Sequence, residues 1–168
     1  MAGDVRWFVP GGTYFFTVVT EHRAPLFADA RWRELLGDIL REVAAEMPFD
    51  TVAAVLLPDH LHTIWALPLD DDDFSTRWKA IKARFTRRFL DAGGAEQPRS
   101  ASRQTRGARG VWQRRFWEHL LRDADDLRRH VEYIHFNPVK HGLARCPHEW
   151  PHSSFQRWAA RGDLARDW

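Results

Sequence analysis

Two histidines one residue apart sit inside an apolar run, in "LLPDHLHTIWALP" at residues 56–68. The flanks, Thr51 to Leu57 and Ile64 to Leu67, are rich in apolar residues and predict strands. Packing in such a strand has no need of imidazole. Side chains alternate across a strand, so His60 and His62 point to one face. Two adjacent imidazoles can share one ligand: a metal ion, a phosphate or water. As a metal pair they leave coordination positions open, which a catalytic ion requires.

A transfer or hydrolytic reaction also needs a nucleophile. The chain has two tyrosines, Tyr14 and Tyr133. Tyr14 falls in an aromatic strand and reads as a packed residue. Tyr133 falls on a helix beside the apolar stripe at Ile134, and Asn137, four residues on, shares its face. A phenol and an amide oxygen on one face can serve as nucleophile and third metal ligand. Asn137-Pro138 leaves two local geometries open, because proline pushes the preceding residue out of helical backbone. Either the helix bends there, or Asn137 caps a short second helix with Pro138 in its first position. Gly142 reads as a helix stop. His119, His141, His148 and His152 read as surface or structural.

The elements that must position these groups follow from periodicity. "GGTYFFTVVT" predicts a strand over 13–20 after a glycine turn. Trp32, Leu35, Leu36, Ile39, Leu40 and Val43 recur at helical spacing over 29–47, with Asp29 as cap and Pro48 as stop. "DTVAAVLL" and "HLHTIWAL" form a hairpin about Pro58-Asp59. After Pro68 and the acidic run Asp70 to Asp73, a helix over 75–90 carries Trp78, Ile81, Phe85 and Phe89 on one side. "GGAEQPRSASRQTRGARG" predicts a mobile polar loop. "VWQRRFWEHLL" predicts a strand, and "DADDLRRHVEYIHF" a helix striped by Leu127, Val131 and Ile134. The fold class is therefore α+β. A ferredoxin-like β-α-β-β-α-β run forms a four-stranded antiparallel sheet, with an additional C-terminal helix carrying Tyr133. Residues 1–168 read as a single domain with an irregular aromatic tail over 144–168.

One cysteine, Cys146, excludes a disulfide framework and a four-cysteine zinc site and fits a reducing cytosol. The start, "MAGDVRWFVPGG", lacks a signal-peptide pattern, and no apolar run has membrane-spanning length, so the expected location is cytoplasmic. The net charge of +2 is unevenly spread. From Arg77 to Arg115 there are twelve Lys or Arg against Asp91 and Glu96, a balance of 12 − 2 = +10, which leaves −8 for the rest. Such a block is either a polyanion-binding surface or a solvated helix face with an arginine-rich loop.

"HLH" resembles the HUH motif (histidine, bulky hydrophobe, histidine) of single-strand DNA endonucleases. "RFWEHLLRDADDLRRHVEYIHFNPVKHGL", followed by "WPHSSF", is similar to the C-terminal half of the REP-associated tyrosine transposases, relatives of the single-tyrosine insertion-sequence transposases. "GGTYFFTVVT" and "LLPDHLHTIWALP" match that family too, so the resemblance covers about residues 6 to 158. The triplet alone is a weak signal; the ordered set is a strong one.

The resemblance implies an HUH endonuclease fold in which His60 and His62 bind metal, Tyr133 is the nucleophile and Asn137 is a third ligand or another polar group of the site. It implies cleavage of single-stranded DNA beside an imperfect hairpin, through a 5′-phosphotyrosine link and a free 3′-hydroxyl that can reverse the reaction. A phenol titrates near pH 10 in isolation and is a poor nucleophile at pH 7, so Mg²⁺ or Mn²⁺ at the phosphate is the expected cofactor. No dedicated base stands out among His130, His135 and a metal-bound water. Arg77, Lys79, Lys82, Arg84, Arg87, Arg88, Arg114 and Arg115 are expected to meet DNA phosphates, with Arg103, Arg106 and Arg109 tightening from the loop. Trp112, Phe116, Trp117, Trp150 and Phe155 are candidates for stacking bases. Monomer and homodimer both remain open. Two other classes explain less. A hairpin-binding protein without cleavage has no use for the intact His60, His62 and Tyr133. A histidine phosphodiesterase needs a second His-x-Ser/Thr, and His152 to Ser154 lies in the tail.

Overall fold

A computed structural model describes residues 6–168. β1 (Thr13–Val19) pairs antiparallel with β3 (His60–Ala66) on one side and β4 (Trp117–Leu120) on the other. β2 (Asp50–Leu57) pairs antiparallel with β3, so the sheet order is β2-β3-β1-β4. This is the ferredoxin-like α+β arrangement expected from the pattern.

Alternation divides each strand between two cores. Tyr14, Phe16, Val18, Leu61 and Trp65 pack against α1 (Ala30–Glu46) and α2 (Phe74–Asp91). Phe15, Val55, Leu57 and Ile64 pack against Val131 and Ile134 of α4 (Ala124–Lys140) on the opposite face. Asp29 caps α1 by accepting from the Arg31 N–H, as its position suggested.

Four segments differ from expectation. The polar loop after α2 contains a short helix, α3 (Ala101–Thr105), and is pinned rather than free. Arg109 pairs with Glu96, and Arg103 reaches Glu21 and the carbonyls of Arg109 and Trp112. Gly110 allows this: a Cβ there would lie 2.1 Å from the Gln97 carbonyl oxygen. The last strand is shorter than 111–121. Trp112 bridges Thr20 and Trp117 pairs with Thr17, so three steps on β1 face five on this segment, and two extra residues bulge outward. α4 continues unbroken past Asn137 and through Pro138, so no second helix starts at Asn137. The helix ends where Leu143 N–H bonds the Pro138 carbonyl, with Gly142 at φ +69. The tail is ordered in part. Residues 152–154 add main-chain bonds to the β2 edge, and α5 (Phe155–Arg161) follows.

Arg77 is a correction. It is 2% exposed and donates to Asp71 and to the carbonyls of Met47, Pro48 and Asp73, tying α2 to the end of α1. Buried and fully engaged, it is a structural residue and not a phosphate contact.

Candidate active site

The tight turn at Pro58-Asp59 makes His60 the first residue of β3, and His62 follows on the same face. Val19 and Leu57 lie opposite His60; Thr17 and Val55 lie opposite His62. Both rings are buried, with centroids 4.7 Å apart. Their Nδ1 atoms are held from behind: Asp59 Oδ1 is 2.6 Å from His60 Nδ1, and Thr17 Oγ1 is 2.8 Å from His62 Nδ1. That leaves both Nε2 atoms for a ligand. Burial alone would raise the Asp59 carboxyl, but hydrogen bonds from His60 and Arg23 together hold it below the usual carboxylate range. Asp59 therefore accepts and His60 Nδ1 donates. Burial pushes His60 below the ordinary histidine range despite that carboxylate, and pushes His62 down to about 3. Both imidazoles are neutral at pH 7, the form that binds a metal.

α4 supplies the remaining groups. Residues 133, 137 and 141 are four apart, the first two on one face of the unbroken helix and His141 its C-cap. The Tyr133 ring centroid is 5.3 Å from that of His62, and the His141 ring centroid is 5.4 Å from that of His60. Asn137, between them on the helix, is fully buried, and neither of its amide atoms has a hydrogen-bond partner. An unpaired buried amide is costly. Two imidazole nitrogens and an amide oxygen form a donor set that fits a divalent ion, and such an ion would satisfy the orphaned oxygen. Tyr133 is 39% exposed, edge-on to Phe15, with the Lys140 ammonium 5.1 Å from its ring. Tyr14, by contrast, is fully buried and bonded to backbone at Trp7 and Val9, as its packing role required. His135 is also structural: it is fully buried, its Nε2 is 2.8 Å from Ser154 Oγ, and burial pushes it down to about 4.

The expected DNA-facing cations separate by location. Lys79, Lys82, Arg87 and Arg114 line one groove of about 1100 Å³ beside α2. Burial pushes Lys82 down to about 8; its ammonium donates to the Gln113 carbonyl and lies over the Phe116 ring. Arg115, thrown outward by the bulge, lines an adjoining cavity of about 810 Å³ with Trp117. Arg84 and Arg88 turn the other way and pair with Glu46 and Glu42 of α1. Trp117 is half exposed and also borders the Tyr133 pocket. Trp112 and Phe155 are core, and Trp150 bonds the Leu56 carbonyl.

Sequence reasoning missed His141, Lys140, Asp59 and Thr17. The first two had a signal, the spacing from Tyr133, which the proline obscured. Thr17 had none, since only strand register brings it to His62.

Sequence and fold both match known proteins. The family model described as "Transposase IS200 like" matches residues 9–137. A REP-associated tyrosine transposase of Escherichia coli (strain K12) is 40% identical over 163 residues, covering 97% of this chain and 88% of its own. A Haemophilus influenzae protein of similar description is 39% identical over 168 residues, covering 100% of this chain and 93% of its own. A solved structure of a REP-associated tyrosine transposase bound to a REP hairpin matches with a TM-score of 0.81 at 39% identity, covering 100% of this chain and 91% of that one. A family match over most of the chain, with relatives this similar along its whole length, means that the chain belongs to the IS200-like transposases, among the REP-associated tyrosine transposases.

Proposed function

We propose that this protein cleaves and rejoins single-stranded DNA beside a hairpin through a 5′-phosphotyrosine on Tyr133. His60, His62 and Asn137 would hold Mg²⁺ or Mn²⁺. The observation that carries the reading is a half-exposed tyrosine packed on the neutral His62 beside His60, with an orphaned buried amide one turn further along α4. A cation held there would draw charge from the scissile phosphate as the pentavalent transition state forms. The chain's own groups do the rest. Asp59 and Thr17 orient the imidazoles. Tyr133 presents its hydroxyl to solvent with no protein partner among the described residues. Lys140, over the Tyr133 ring, adds positive charge where phosphate must arrive.

The basic surface supports a hairpin substrate. The groove with Lys79, Lys82, Arg87 and Arg114 shares Arg6 and Phe116 with the Arg115 cavity, which shares Trp117 with the Tyr133 pocket. A duplex stem in the groove would lead its single strand past Trp117 to Tyr133, phosphates setting register and Trp117 stacking a base. The similar structure bound to a REP hairpin supports the same substrate class. Such a substrate places the protein's work in the cytoplasm, at the nucleoid.

The test is incubation with 3′-labelled hairpin oligonucleotides in Mg²⁺ or Mn²⁺, beside Tyr133→Phe and His62→Ala. A covalent, SDS-resistant protein–DNA band from the wild type alone is expected. Tight hairpin binding with no adduct, across several substrates and both metals, would instead make this a hairpin-binding protein.

A further inference from the structure

The tyrosine-nucleophile reading, on which this inference rests, leaves the phenol proton without a destination. His141 packs on His60, across Asn137 from Tyr133 along the helix, and His135 is sealed against Ser154. His130 stands one helical turn before Tyr133. Both open onto one cavity of about 400 Å³, bordered also by Phe15, Thr17, Trp117 and Arg129. Phe15 is the common wall, its ring centroid 4.9 Å from that of His130 and 5.9 Å from that of Tyr133.

The His130 ring has a defined tautomer. Its Nδ1 is 2.8 Å from the Asp126 backbone carbonyl and 3.3 Å from Asp126 Oδ1. A carbonyl oxygen only accepts, so Nδ1 carries the proton and Nε2 keeps its lone pair. Asp126 is buried, and it also takes the Arg122 N–H and His119 Nε2 at Oδ2. The His119 ring stacks on His130 at 4.9 Å. A buried carboxylate behind an imidazole that lines a pocket shared with a nucleophile is the layout of a base and its orienting group.

We propose that His130, positioned by Asp126, is the general base for Tyr133. In cleavage the phenol proton passes to His130 Nε2, directly or through one water, as Tyr133 Oη bonds to phosphorus. The P–O3′ bond breaks with its electron pair on O3′, which takes a proton from water. In joining, a 3′-hydroxyl attacks the phosphotyrosine and loses its proton to water, while the imidazolium returns a proton to the departing Tyr133 oxygen. The trio His119, Asp126 and His130 does not suit a cation instead. Guanidinium groups of Arg122 and Arg129 already lie 3.8 and 3.9 Å from the Asp126 oxygens, and the carbonyl facing Nδ1 requires a proton there.

The experiment is single-turnover cleavage of a 3′-labelled hairpin oligonucleotide by wild type, His130→Asn, His130→Gln and Asp126→Asn. Asparagine keeps a donor toward Asp126 and removes Nε2. Both His130 variants are expected to cut roughly 10²–10⁴-fold more slowly, the usual range for losing a general base, with hairpin affinity and melting temperature unchanged. Asp126→Asn is expected to cost about tenfold, because the backbone carbonyl still sets the tautomer. The charged and titratable groups around His130 are Asp126, His119 and Arg129. The rising limb of the wild-type pH–rate profile should vanish in both His130 variants and survive His119→Gln. A fluorinated tyrosine at 133, with a more acidic phenol, should shrink the His130→Asn penalty, which a structural role would leave unchanged. Wild-type cutting rates in both His130 variants, or a penalty indifferent to fluorination, would remove His130 as the base. Absence of any wild-type adduct would defeat the tyrosine reading itself, and this inference with it.

Discussion

On β1, Tyr14, Phe16 and Val18 look toward α1 and α2, while Phe15, Thr17 and Val19 look toward α4. The first side is closed by stacked aromatic rings, with Trp65 and Trp78 centroids 4.2 Å apart and Phe49 on Trp65 at 3.9 Å. The second side has a smaller core and then gives way to His60, His62, Asn137 and Tyr133. One sheet thus puts its larger core on one face and the candidate site on the other. The division lets polar groups stay poised, with an orphaned amide among them, because the opposite core supplies the folding energy.

Adjacent residues of β1 test this contrast most sharply. Phe16→Ala should cost about 3–5 kcal/mol, read as a lower urea midpoint, because it opens a cavity among Trp65, Trp78 and Phe74. Arg77→Met should cost about 3 kcal/mol of stability by taking the buried guanidinium from the carbonyls of Met47, Pro48 and Asp73 and from Asp71, yet leave hairpin affinity of the folded protein unchanged. An affinity loss there would return Arg77 to the DNA surface. Thr17→Val, one residue from Phe16 but on the other face, should leave the urea midpoint within about 1 kcal/mol. It should slow cleavage roughly 10- to 100-fold and raise the Mn²⁺ concentration needed, because His62 loses its orienting partner. Equal stability losses from Phe16→Ala and Thr17→Val would erase the division of labour. The smallest effect belongs to Lys82. Its charged form is the one that would meet phosphate in the proposed groove, and it is lost above about pH 8, so hairpin affinity should fall several-fold as pH rises from about 7 to 9. Lys82→Gln should lack that dependence and show a salt slope smaller by about one, measured by filter binding.

Much of this was legible in the sequence. The α1 stripe, the two hairpin strands and the Asp29 cap follow from local periodicity and capping chemistry, and they hold to within a residue or two. His60 and His62 share a face because strand alternation requires it. Tyr133 stood out as the tyrosine beside an apolar stripe. The proline rule pointed the wrong way at Asn137. Packing of Val131 and Ile134 on the sheet, and closure at Leu143, keep α4 helical through Pro138 at the expense of one backbone bond. That continuity aligns Tyr133, Asn137 and His141, so the site gained a histidine that had read as surface or structural.

The basic run shows where composition stops. Twelve cations between Arg77 and Arg115 are visible as a block. Which of them face a groove, which pair with α1 and which disappear beneath the surface depends on partners far along the chain. Arg77 meets carbonyls at Met47 and Pro48, Arg88 meets Glu42, and Arg103 meets Glu21. Periodicity, capping and residue chemistry act between neighbours a few positions apart, and these the sequence by itself determined: the elements, the α+β order, the histidine pair and the tyrosine. Register, helix continuity and the pairing of charges depend on contacts tens of residues apart, and only the tertiary structure decided them.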